Sequence, residues 1–125
     1  MAKTLTIKIR PVGEALEGFR ETFKALEAGR RVTRQAGVYF TSIEAARNLL
    51  TTNRLALLST VRRQRPHSIY ELAKLLNRDL KNVQEDLRIL KEYGLVRMTR
   101  NRGVGRRKVK VPQALFDEIA LKVAI

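Results

Sequence analysis

Three observations in the 125-residue sequence predict an α+β fold. Leu5, Ile7 and Ile9 alternate with polar neighbours near one end, and Ile119, Leu121, Val123 and Ile125 alternate near the other, the period-two signature of half-buried strands. Between Leu49 and Tyr93, apolar residues recur at helical spacing in three segments in quick succession. Two basic, β-rich runs, 95–100 and 106–111, then flank the glycine-containing stretch Asn101-Arg102-Gly103-Val104-Gly105, as in a hairpin.

In chain order, a first strand over 4–10 is ended by Pro11. Leu16, Phe19, Phe23 and Leu26 predict a helix over 12–28, closed by Gly29. Val32, Val38 and Phe40 place a second strand within 30–41, and Ser42 caps a short helix holding Ile43, Ala46, Leu49 and Leu50. Thr51 or Thr52 starts a helix reaching Arg63, with Leu55, Leu58 and Val61 expected inward, and Arg65-Pro66-His67 breaks it. Ser68 caps a helix over 69–76, with Glu71 as its capping-box partner. Asn77-Arg78-Asp79 forms a turn, Asp79 caps a third helix over 80–93, and Gly94 stops it in a left-handed conformation. The expected division is 1–48 as a strand-helix-strand extension, 49–112 as the central domain, and 113–125 as a C-terminal strand or tail.

Composition narrows the function. The 44% hydrophobic content suits a folded domain. Cysteine is absent, which excludes disulfides, thiolate metal sites and a cysteine nucleophile. No apolar run approaches the roughly 18 residues of a membrane span, and the first ten residues do not resemble a signal peptide. The expectation is a cytoplasmic, nucleoid-associated protein with no membrane partner. Twenty-six Lys and Arg against twelve Asp and Glu leave a formal net charge of +14, which implies a polyanionic partner. From Val96 to Pro112 the chain carries seven basic residues and no acidic one.

Helix, short helix, turn, helix and basic hairpin, in that order over 52–111, are what a winged helix-turn-helix requires. A major groove admits an α-helix and shows a distinct hydrogen-bonding pattern at each base pair. Two helices would hold the third in the groove while the hairpin reaches backbone or minor groove. Along 80–93, Leu80, Val83, Leu87 and Leu90 fall on one side, and Lys81, Glu85, Arg88 and Glu92 on the other. The candidates for base contact are Lys81, Asn82, Gln84, Glu85 and Arg88; Glu85 is equally suited to holding Arg88 or Lys81 by an i,i+3 or i,i+4 pair. On the hairpin they are Arg97, Arg100, Arg102, Arg106, Arg107 and Lys108, where arginine suits phosphate or a narrow minor groove. Ser68, Tyr70 and Arg78, at the second helix and the turn, are candidate backbone contacts.

The run Ser68-Ile-Tyr-Glu-Leu-Ala-Lys-Leu-Leu-Asn77 resembles the second helix of MarR/ArsR-type winged-helix regulators. Arg78 to Leu90 resembles their recognition helix, and Leu90-Lys-Glu-Tyr-Gly-Leu-Val96 their junction between helix and wing. Phe40-Thr-Ser-Ile-Glu through Leu49-Leu-Thr, with Arg54-Leu-Ala-Leu-Leu, is similar to a group of small prokaryotic predicted DNA-binding proteins. The resemblance implies a homodimeric transcriptional regulator of double-stranded DNA, and some small relatives act as the DNA-binding antitoxin of a toxin pair, so a small protein partner is a further expectation. The cysteine and histidine ligands of metal-sensing members are missing, so no metal or other cofactor is expected.

No enzyme activity is expected: His67 is the sole histidine, and neither a phosphate loop nor a nucleophile triad is present. An RNA- or ribosome-associated role is the rival reading. Base-stacking modules usually expose aromatics, whereas Tyr39, Phe40, Tyr70, Tyr93 and Phe116 read mostly as core or junction residues. The two alternating flanks exceed what a minimal winged helix needs. They suit either a dimer interface or completion of the chain's own sheet.

Overall fold

The computed structural model describes residues 3–10, 38–102 and 108–125, and of Asn101, Arg102 and Lys108 the backbone alone. The expected helix over 12–28, the first part of the second strand, and Gly103 to Arg107 lie outside these residues. The described chain is α+β: β1 (Thr4–Ile9), β2 (Val38–Phe40), α1 (Ile43–Leu49), α2 (Thr52–Gln64), α3 (Ile69–Leu76), α4 (Leu80–Glu92), β3 (Val96–Arg102), β4 (Lys108–Ala114) and β5 (Glu118–Val123). It divides into two units, one of Met1–Lys3 with Leu49–Asp117, the other of Thr4–Asn48 with Glu118–Ile125.

In the second of these units, β1 lies between β2 and β5 and runs parallel to both. The expected terminal strands thus pair with each other in one sheet. Ile7 stands opposite Val38 on one side and Leu121 on the other. Leu5, Ile7 and Ile9 are buried to 3%, 0% and 5% exposure on the central strand of the sheet. Lys8 and Arg10, on the opposite face, lie over the Tyr39 ring at 5.8 and 5.2 Å. Ser42 caps α1 by accepting the Ala45 N–H, and Ala46 is buried one turn on.

In the larger unit, α2 packs on α3 and α3 on α4, while α2 and α3 contact β4 and α4 contacts β3. Thr51 caps α2 by accepting the Arg54 N–H at 3.2 Å. The buried face of α2 is carried by Leu57 and Val61, four residues apart, whereas Leu55 is 45% exposed. Val61 is inward as expected, but the rest of the expected face is rotated: Leu58 is only half-buried, and Leu57 takes the buried position. Ser68 accepts the Glu71 N–H, and the Glu71 carboxylate accepts from His67, one residue ahead of the cap.

The C-terminal ends of α3 and α4 are both closed by left-handed residues. Asn77 has φ +52°, its N–H reaching the Lys74 carbonyl, and Arg78 reaches that of Ala73. Gly94 has φ +77°; its N–H reaches Lys91 and that of Leu95 reaches Leu90. These are paired 5→2 and 6→1 bonds that satisfy otherwise orphaned helix carbonyls. Asp79 occupies the N-cap of α4 without a side-chain bond to the helix, so the turn is held by other means.

β3 and β4 form an antiparallel hairpin, Val96 opposite Ala114 through to Arg102 opposite Lys108. It runs past Pro112, which stands opposite Met98; a two-stranded sheet has only edge strands, where proline's missing donor is tolerated.

Candidate nucleic-acid interface

α4 is amphipathic at helical period, and burial divides it cleanly. Val83, Asp86, Leu87 and Leu90 are buried, while Lys81, Asn82, Gln84, Glu85 and Arg88 are all exposed. Leu80, expected inward, lies at 36% exposure at the helix start. The inward position it leaves is matched by an unexpected one: Asp86, at 9% exposure, sits on the apolar stripe three residues after Val83 and four before Leu90.

Asp86 explains what holds the turn. Its Oδ1 accepts from Arg54 Nε at 3.1 Å and its Oδ2 from Arg78 Nη2 at 2.7 Å, so one carboxylate ties α2 and the α3–α4 turn to α4. Arg54 also donates from Nη1 to the Leu49 carbonyl at 3.1 Å. The side chains of this triad are 13–21% exposed, where partly desolvated charges attract strongly but are costly if left alone. Arg78 Nη1 is buried and has no hydrogen-bond partner among the described residues. A charged residue at an apolar stripe position, with arginines at both ends of the motif, is the sequence signal that would have identified the triad.

On the exposed face, Arg88 is gripped by two carboxylates. Nη2 and Nε donate to Glu85 Oε1 and Oε2 at 2.5 and 3.1 Å, and Nη1 donates to Glu92 Oε1 at 2.6 Å. The bonds from Arg88 hold the Glu85 carboxyl below the ordinary glutamate range, and both carboxylates raise the arginine further. Of the two roles open to Glu85, the structure thus contains the arginine-holding one. Tyr70, Tyr39 and Tyr93, expected mostly at core or junction positions, are instead 60%, 45% and 40% exposed, with Lys74 Nζ 4.5 Å over the Tyr70 ring, while the Ser68 hydroxyl is engaged in its cap.

The hairpin separates its cations by face. Arg97 Nη2 donates to Gln113 Oε1 at 2.7 Å across the strands. Arg100 stands on the other face, opposite Lys110, and Arg102 follows opposite Lys108 in the same register. Arg100 and Lys110 are both exposed, and no acidic residue pairs with either among the described residues. Like charges directly opposite one another destabilise a hairpin, so this arrangement favours an anion between them. Lys110 thereby joins the candidate residues of the hairpin, a placement that only the register reveals. Arg106 and Arg107 lie outside the described residues.

Among the described residues there is no group of three or more metal-ligating side chains, and no helix long and apolar enough to cross a membrane.

A family model described as HVO_A0114 matches residues 49–121, which spans all the elements that carry this surface. Among solved structures, the chain is similar to a possible transcriptional regulator from Methanosarcina mazei Go1 at 18% identity, covering 62% of this chain and 68% of that one with a TM-score of 0.47. No curated protein matches the chain.

Proposed function

The chain belongs to the HVO_A0114 family, and we propose that the segment matched by the family model is a winged helix-turn-helix that binds double-stranded DNA as a transcriptional regulator. In this reading α4 enters the major groove and presents Lys81, Asn82, Gln84, Glu85 and Arg88. The β3–β4 hairpin is the wing and lies on the backbone or in the minor groove. Gln84 and Asn82 suit adenine and Arg88 suits guanine. The likeness of residues 68–96 to MarR/ArsR-type regulators supports the same assignment.

The observation that carries the proposal is the cross-strand pair Arg100 and Lys110, two exposed cations opposite each other in a hairpin run without acids. A solvated edge strand needs charge only to resist aggregation. It does not need two cations placed where they repel each other, whereas a phosphate between them turns that repulsion into attraction.

The test is duplex binding by fluorescence anisotropy over graded salt, with structured RNA as competitor. Duplex binding that survives RNA competition is the expected result, and preferential RNA binding overturns the reading. Selecting bound sequences from a random duplex pool then separates the two surfaces. Gln84→Ala with Arg88→Ala should flatten discrimination between sites more than it lowers general affinity, whereas equal loss on every sequence would mark these residues as phosphate contacts.

A further inference from the structure

The three-stranded sheet terminates at β5 with an edge that carries apolar side chains into solvent. The parallel register sets Leu5, Ile7 and Ile9 beside Ile119, Leu121 and Val123, on one face of the sheet. The β1 members are at most 5% exposed, yet Leu121 and Val123 are 50% and 52% exposed. The same strand has an open backbone edge. Ala124 donates its N–H to the Ile9 carbonyl, so the even-numbered residues of β5 bond toward β1. The N–H and C=O groups of Ile119, Leu121 and Val123 therefore point away from β1, and no described strand pairs with them. An apolar edge strand of this kind is a template for another strand.

We propose that β5 is a homodimer interface, in which the β5 strands of two copies pair antiparallel about a two-fold axis and join two three-stranded sheets into one of six. Charge selects a second copy as the occupant. The strand reads Glu118-Ile119-Ala120-Leu121-Lys122-Val123. A two-fold at Ala120 sets Glu118 opposite Lys122 of the partner subunit, and the partner's Glu118 opposite Lys122. It also sets Ile119 opposite Leu121 of the partner subunit, on the apolar face. A two-fold at Lys122 would oppose two lysines, which is unfavourable, and one at Leu121 would set each lysine against an alanine. The Ala120 register alone uses both charges and both apolar residues, so the strand is complementary to itself, as an isologous contact requires.

This proposal does not depend on the nucleic-acid reading and is tested without DNA, by sedimentation velocity at moderate ionic strength, since a protomer charge of +14 opposes association. The expected result is a mass that rises with concentration to twice that of the protomer. Glu118→Lys and Lys122→Glu should each weaken the dimer by about ten-fold or more, and the two together should restore it. Glu118 also accepts a hydrogen bond from the Thr4 hydroxyl, so its single variant is checked for intact folding by circular dichroism. Leu121→Lys, at a half-exposed site where folding is not at stake, should abolish the dimer. A single protomer species up to high micromolar concentration overturns the proposal. So does a dimer indifferent to Leu121→Lys and to the charge reversals.

Discussion

Arg88 and Glu85 are bound to each other by two hydrogen bonds, at 2.5 and 3.1 Å, one helical turn apart on the exposed face of α4. With Glu92 holding the third guanidinium nitrogen, the arginine among the base-reading candidates carries its own counter-charges. Exposed pairs of this kind are weak and screened by solvent, so the clamp can open when a better partner arrives.

Glu92→Gln removes one of those carboxylates while leaving Glu85 in place. Affinity for random duplex DNA should rise by about two- to five-fold, as expected for one exposed pair. Anisotropy on a mixed-sequence duplex measures it, and a loss of affinity would mean that Glu92 positions Arg88 for binding.

Arg100→Ala and Lys110→Ala should each lower affinity on every sequence and reduce the log–log salt slope by about 0.9. Folding stability should hold or rise slightly, because the variant removes a like-charged cross-strand pair. Parallel salt titrations and urea melts check both halves of this statement.

Asp86→Ala leaves two partly buried guanidinium groups without their shared carboxylate. The expected loss is about 3–5 kcal/mol of folding stability, read by urea denaturation. A loss below about 1 kcal/mol would show that the triad does not anchor the turn.

Gly94 holds φ +77° with open space where a Cβ would stand. Gly94→Ala therefore meets no clash and should cost only the left-handed backbone penalty, about 1–2 kcal/mol. A much larger loss in a urea melt would point to a packing role at the junction of α4 and β3.

Asp117 accepts from the Lys3 backbone N–H at 2.8 Å and from Arg62 Nε at 3.0 Å, and these bonds hold its carboxyl below the ordinary range. A depressed carboxyl pKa contributes stability above the unfolded value, about 3.9, and that contribution is lost as pH falls through the folded value. Asp117→Asn should thus be less stable than wild type at neutral pH, with the difference shrinking as the solution is acidified below about pH 4. Thermal melts across pH 3 to 7 follow it, and a difference independent of pH would dissociate Asp117 from its ion pair.

Much of this architecture was legible in the residues because its causes are local. Ser42, Thr51 and Ser68 announce three helix starts through the same hydroxyl-to-amide bond, and Asn77 and Gly94 announce two helix ends. The alternation of Leu5, Ile7 and Ile9, and of Ile119 to Val123, marks two strands without saying what they pair with. The exposed side of α4 follows from helical period, so its five candidate residues lie where expected. The rotation of α2 onto Leu57 was less accessible, because Leu55, Leu57 and Leu58 offer overlapping stripes and only tertiary packing chooses between them.

What the sequence by itself determined is local: where helices start and stop, which face of α4 is polar, and the sign of the charge on the hairpin. The tertiary structure alone decided the long-range relations. It paired β1 with β5 from opposite ends of the chain, set Lys110 opposite Arg100, and brought Arg54 and Arg78 to Asp86 across 32 and 8 residues. The physical reason is range. Caps, turns and periodicity act within a few residues, while register and buried ion pairs exist only once distant segments share a core.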